Sequence, residues 1–343
     1  MNPSWFGWQK CLEILSTPAK PFEASLVQRA AADYIEPMRK IIRNSAYWKR
    51  MRPLTPHENL NGIPGTKGID AIKLSTSVGF PLTGPKRKHI IELEPTEENP
   101  NNRILGTHLQ DEVDRFLELY KKGQRAYPIA KACKKDEILP QEKDKCRIFY
   151  GNAFALTYLV RMYFLPLSRF MQMNPIVSEC AVGVNCHSTE WKQLTDYMVK
   201  FGKDRVFAGD YSKYDQRMPT QMILAALSIL IDLAKECNYT DEDLKVMRAM
   251  CGDLAFAYIA YDGDMISLVQ GGHISGNSLT VVINSIVGSL NLRCHYFYEY
   301  PEEKDSFRDH VAIITYGDDN KGSVSADRPK FNIKRCSEFL ARY

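Results

Sequence analysis

The chain has 343 residues, 44% of them hydrophobic and 25% charged, with a net charge of +4. Those proportions exclude a disordered or fibrous chain, and the length is enough for two or three lobes around a full core. So small a positive charge excludes a tail that coats nucleic acid along its whole length, so any contact with a polyanion must come from local clusters.

Met1-Asn2-Pro3-Ser4-Trp5 has no basic region followed by an apolar core, and no secretory signal is expected. Helical spacing runs from Ser25 to Arg43, and a Gly/Pro-rich loop follows from Pro53 to Gly68. Ser75-Thr76-Ser77-Val78-Gly79-Phe80-Pro81 comes next, then the basic run Lys86-Arg87-Lys88-His89. That run suits either an exposed face or contact with a nucleic-acid backbone. A helix is predicted over Thr107 to Lys122, stopped by Gly123. Residues 127–150 read as a strand, a charged loop and a second strand, and Ala153 to Met173 is helical again.

Arg205 to Gly209 reads as a short buried strand ending on Asp210. Met222 to Ala234 is a buried helix, the longest apolar stretch, broken by Ser228 and Asp232 and too short to span a bilayer. A soluble chain without a transmembrane segment is expected. Ala255 to Val269 alternates around Asp262-Gly263, a strong hairpin signal. A long helix is predicted from Gly276 to Tyr296 with Ser275 at its N-cap, Thr280 and Asn284 on one face and Leu279, Ile283, Ile286 and Leu290 on the other. Val311 to Thr315 is a strand that ends at Tyr316-Gly317-Asp318-Asp319, with Lys321 to Ser325 as its antiparallel partner. This order of elements suits an α+β layer with helices on one face of an antiparallel sheet. Nine scattered cysteines without a C-x-x-C pair fit a reducing compartment, and Cys180, Cys186 and His187 lack the second ligand pair of a zinc site.

Two predicted strands end on aspartates, Asp210 on one and Asp318 with Asp319 on the other. Carboxylates about 4 Å apart repel by roughly 4 kcal/mol at an effective dielectric of 20. Such a cluster takes up protons or cations, and all-oxygen ligands favour Mg²⁺ or Mn²⁺. A pair of such ions suits in-line phosphoryl displacement. A lone Gly-Asp-Asp is often only a turn; here Asp215, Ser275, Gly276, Thr280 and Asn284 accompany it.

Those residues resemble the motifs of the RNA-dependent RNA polymerases of picorna-like positive-strand RNA viruses, in the family's order across roughly residues 75–325. Asp210 and Asp215 resemble D-x4-D; Ser275, Gly276, Thr280 and Asn284 resemble S-G-x3-T-x3-N; Tyr316 to Asp319 is Y-G-D-D. Thr76 to Pro81 resembles the T-S-x-G-Y-P element along the template path, and Lys135-Asp136-Glu137 with Lys143, Lys145 and Arg147 the basic element that holds the incoming triphosphate. The resemblance implies a right-hand polymerase: fingers over 1–168 and a hairpin insertion at 253–271, palm over 169–252 and 272–343, and a thumb beyond Tyr343.

By the same resemblance Asp210, Asp318 and Asp319 are catalytic and hold two Mg²⁺ ions, for which Mn²⁺ can substitute. Asp215 and Asn284 read the ribose 2′-hydroxyl. Ser275 and Thr280 help to position the nucleotide, and Lys135, Lys143, Lys145 and Arg147 line the triphosphate channel. Thr76, Ser77, Gly79 and Gly276 face the template. The implied partners are an RNA template and primer, NTPs, and other viral replication proteins including a protein primer, in membrane-associated complexes of the host cytoplasm.

Three departures stand out. Leu139-Pro140 replaces the arginine that follows K-D-E in close relatives of the picornaviruses, the charged loop is shorter, and the chain ends 24 residues after Asp319. The last leaves the family's proton-donating lysine beyond Tyr343, with Lys330 and Lys334 read as surface residues, and implies little activity for residues 1–343 alone. A reverse transcriptase would carry an aromatic residue at position 215 and usually Tyr-x-Asp-Asp. A non-catalytic RNA-binding module would have no use for convergent acids, which repel phosphates.

Overall fold

The computed structural model describes residues 5–97, 100–135, 138 and 147–343. Nine described helices have eight residues or more: α1 (Trp5–Ser16), α2 (Ala24–Asn44), α3 (Thr107–Lys121), α4 (Phe154–Met173), α5 (Thr189–Met198), α6 (Thr220–Ala234), α7 (Asp241–Ala255), α8 (Thr280–Glu299) and α9 (Ile333–Leu340). The apolar spacing of α2 (Val27, Ala30, Tyr34, Ile35, Met38, Ile42) turns one stripe inward. Helices α4 and α6 bury apolar side chains on nearly every face, and with α2, α7 and α8 they form the largest core. Thr240 and Asp243 close a capping box at the start of α7 and fix where that helix begins.

Among the described residues nine strands form three sheets. β1 (Ile90–Glu92) and β2 (Arg103–Leu105) make a ribbon. β3 (Ile129–Lys134) and β4 (Ile148–Gly151) are antiparallel, and β3 pairs in parallel with β6 (Tyr258–Tyr261), which turns into β7 (Asp264–Ser267). Asp262 and Gly263, both at positive φ, make the β6–β7 turn that the Asp-Gly pair predicts. The third sheet has the order β5-β9-β8, from β5 (Val206–Gly209), β9 (Asp319–Val324) and β8 (Val311–Tyr316), all antiparallel.

Two expectations change here. β5 was expected to be buried, yet Val206 and Ala208 are exposed, because the strand lies at the edge of its sheet. Helix α8 starts at Thr280 rather than Gly276, with Leu279 and not Ser275 at the N-cap. Gly276 has φ +100°, outside the helical region, and so the chain turns before it winds. α8 is also buried on both faces from Val282 to Phe297, since α2, α6 and β8 pack around it. Its polar residues therefore meet protein rather than water.

Candidate active site

The β8–β9 connection is a two-residue turn, Gly317-Asp318, closed by the pair Tyr316 and Asp319. Gly317 takes φ +63°, and its N–H donates to Ser285 Oγ of α8 at 3.0 Å. The turn is thus clamped from below. Across the sheet Gly209 pairs with Asn320. Asp210 follows Gly209 and Asp319 precedes Asn320, so the two aspartates flank the last registered pair of that edge. Asp210, Asp318 and Asp319 are all exposed. None of their carboxylates has a hydrogen bond or ion pair with a described residue.

Their carboxylate oxygens do not all lie within 4.8 Å of one another; among the described residues the trio that meets this limit is Glu303, Asp305 and His310. Oxygens on one divalent ion, at about 2.0–2.1 Å from it, lie within about 4 Å of one another, while two ions about 3.5–4 Å apart can take carboxylates spaced more widely than that. Exposed, unpaired carboxylates at a clamped turn are a donor set that fits such ions.

Asp215 is half-buried beside this turn, and Asn284 Nδ2 donates to its Oδ1 at 2.6 Å. Burial raises the Asp215 pKa above the ordinary carboxylate value; the Asn284 hydrogen bond opposes this, the Asp318 charge adds to it and the Arg147 guanidinium lowers it. Asp215 is therefore within electrostatic reach of both the acidic turn and the basic element. Tyr214 Oη donates to the Asn284 carbonyl at 3.0 Å, which fixes the short helix Tyr214–Arg217 against α8.

The turn before α8 is built on Thr280. Its Oγ1 accepts from the N–H groups of Gly276 and Asn277 at 3.2 and 3.4 Å. Ser275 contributes its carbonyl, which accepts from Asn152 Nδ2 at 3.0 Å. A Cβ on Gly276 would stand 2.5 Å from the Tyr150 carbonyl oxygen, so only glycine permits this approach to β4. The Thr76–Pro81 loop meets the same stretch: a Cβ on Gly79 would lie 1.7 Å from the Asn152 carbonyl oxygen. Lys86 Nζ donates to Thr76 Oγ1 and to the Ser77 carbonyl, both at 2.7 Å. One member of the basic run thus staples the loop, while Arg87 and Lys88 are exposed.

Lys135 and Arg147 are exposed and face each other at the end of the β3–β4 pair, with the Lys135 N–H donating to the Arg147 carbonyl at 2.9 Å. Asp136, Glu137, Lys143 and Lys145 lie outside the described residues. Among the described residues Cys180, Cys186 and His187 do not form a ligand cluster: Cys180 is buried beside Thr315, and Cys186 is exposed. Lys330 and Lys334 are surface residues, as expected.

Beneath the acidic turn lies a second cluster that pattern reading missed. Glu179 and Arg293 are both 0% exposed and pair at 2.7 Å; Arg308 also reaches Glu179, and Arg293 reaches Asp33 at 2.8 Å. Ser289 Oγ adds a hydrogen bond to Glu179. Burial pushes the Glu179 pKa up, but Arg293 and Arg308 outweigh it and hold the carboxyl below its ordinary value. The Glu179 carbonyl accepts from both the N–H and the Oγ1 of Thr315, two residues before Gly317. Arg293 inside an apolar helix was a legible signal. Asn152 had none, because its partners are 73 and 123 residues away.

Residues 20–343 match the sequence profile of the family described as viral RNA-dependent RNA polymerase. The RNA1 polyprotein of Broad bean wilt virus 1 is 31% identical over 304 residues, covering 84% of this chain and 16% of that polyprotein. That of Cowpea mosaic virus is 28% identical over 95% of this chain and 18% of its own length. The genome polyprotein of Deformed wing virus is 27% identical over 82% of this chain and 10% of its own. The chain thus spans under a fifth of the length of these relatives. Among solved structures, the Sicinivirus 3Dpol RNA dependent RNA polymerase superimposes with a TM-score of 0.73 at 20% identity, over 95% of this chain and 63% of that one. This likeness shows the fold.

Proposed function

Because the chain belongs to the viral RNA-dependent RNA polymerase family, we propose that it carries the nucleotidyl-transfer site that copies a positive-strand RNA genome from NTPs. The observation that carries this reading is the Asn284–Asp215 hydrogen bond of 2.6 Å beside an exposed aspartate turn, two distant motifs joined at one place. Asp210 and Asp318 would hold two Mg²⁺ ions, with Asp319 adjacent. Bound there, such ions activate the attacking 3′-hydroxyl and stabilise the leaving phosphate. Asp215 accepts from a ribose 2′-hydroxyl while Asn284 holds its carboxylate in place, so a deoxynucleotide leaves that acceptor unpaired. Lys135 and Arg147, exposed at the end of the β3–β4 pair, offset triphosphate charge, and Lys143 and Lys145 belong to the same proposal. Thr76 and Ser77, stapled by Lys86, offer hydroxyl and backbone groups to the template.

The lobes follow the same reading. The 253–271 hairpin belongs with the fingers, a reading supported by the β3–β6 pairing. RNA, NTPs and other replication proteins are the partners proposed, in membrane-associated complexes of the host cytoplasm. No described helix is long and apolar enough to cross a membrane.

Primer extension on an RNA template, with the chain in the natural polypeptide that carries it, tests the reading. Asp318→Asn is expected to abolish extension without lowering the melting temperature; an unchanged rate would overturn the assignment. In isolated residues 1–343, Mn²⁺ binding followed by electron paramagnetic resonance is expected to weaken in the same variant.

A further inference from the structure

Two glycines at positive φ, Gly79 and Gly276, both press on one short stretch, Tyr150 to Asn152. Asn152 meets both. Its carbonyl lies under Gly79, and its side chain donates to Ser275 and lies 3.2 Å from where a Gly276 Cβ would stand. On one side the Gly79 loop is rigid, braced by Val78 N–H to the Gly84 carbonyl, Lys86 N–H to the Thr76 carbonyl and the Lys86 ammonium. On the other side the Ser275 turn runs through Thr280 into α8, where Asn284 meets Asp215. Among the described residues Asn152, directly after β4, is the side chain that bonds this stretch to the turn, and it is 8% exposed. A small cavity lined by Asn152, Ala153, Ile274 and Asn277 lies beside the turn.

We infer that Asn152 is a positioning residue that couples the Thr76–Pro81 loop to the Asp215–Asn284 pair, so that the template side and the ribose-reading side move as one. The identity of the two ligands rests on the polymerase reading; the mechanical coupling does not. Asn152 touches neither ligand in this scheme. Its effect passes through the Ser275 carbonyl and the first turn of α8, the kind of supporting contact that decides whether a site is tight or loose.

Asn152→Asp is the sharpest variant, because it keeps size and shape but sets an acceptor against the Ser275 carbonyl. In the ligand-free chain, amide hydrogen exchange at Gly276, Asn277 and Leu279 and at Val78 and Gly79 is expected to quicken by about tenfold, the worth of one hydrogen bond. Exchange in α3 and α6 stays unchanged. In primer extension, the ratio of kcat/KM for NTP to that for dNTP is expected to fall by about tenfold, whereas a merely structural loss lowers both alike. Should Asn152→Asp fail to fold, Asn152→Ser, which keeps a donor, is expected to give the same pattern more weakly. Faster exchange on one side only, or an unchanged ratio in an active variant, would overturn the inference. If exchange quickens on both sides but the natural polypeptide that carries the unaltered chain incorporates no nucleotide on RNA, the polymerase reading falls and the coupling stands.

Discussion

Two groups of charges lie above and below the β8–β9 turn, and they are handled in opposite ways. Below it, Glu179 and Arg293 are fully buried, and Asp33, Arg308 and Ser289 complete their hydrogen bonding. Above it, Asp210, Asp318 and Asp319 are exposed and have no partner among the described residues. The lower group is satisfied by protein and serves as a foundation. The upper group has no such partner among the described residues, which leaves it open to the cations proposed above. A buried charge must be paired within the fold or the fold fails, whereas an exposed carboxylate can wait for a cation.

The largest expected effect breaks the lower group. Arg293→Met leaves Glu179 buried without its main partner and is expected to cost about 3–5 kcal/mol in urea unfolding. A loss under about 1 kcal/mol would mean that the two groups do not differ in kind.

A smaller effect comes from a group buried neutral. His273 is 2% exposed, and neither ring nitrogen has a described hydrogen-bond partner. Burial lowers its pKa from 6.5 to about 4. The unfolded chain then binds more protons between those values, so stability is full above pH 6.5 and falls as pH drops toward 4. The contribution lost is about 3 kcal/mol at most, by the usual conversion of a pKa shift. His273→Gln is expected to flatten that part of the pH–stability curve, and a curve that keeps its slope would assign the effect to other groups.

The smallest effect concerns the upper group. Asp318→Asn, without divalent ions, is expected to change unfolding stability by no more than about 0.5 kcal/mol, as for an exposed side chain. With Mg²⁺ added, the unaltered chain is expected to melt at a higher temperature and the variant to gain less. An equal gain in both would place the ions elsewhere.

Much of this was legible along the chain. Periodicity located α2, α3, α4 and α6 within one or two residues at most ends, and the apolar run into Tyr316 marked β8. The motif residues were legible because their spacing is local: Asp210 and Asp215 bracket a single turn, and Thr280 and Asn284 lie one helical turn apart. The start of α8 was not, since the conformation of Gly276 is dictated by the approach of β4. Nor was the exposure of β5, because strand order in a sheet is a long-range outcome.

The order of residues by itself determined which segments wind or extend, and which acids end up on turns, because those choices depend on neighbours a few positions away. Only the tertiary structure decided that Gly209, next to Asp210, pairs with Asn320, next to Asp319, that Asn152 stands between Gly79 and Ser275, and that Arg293 finds Glu179. These pairings close loops of many residues, and packing and the exclusion of water select them, neither of which is written in any short stretch of chain.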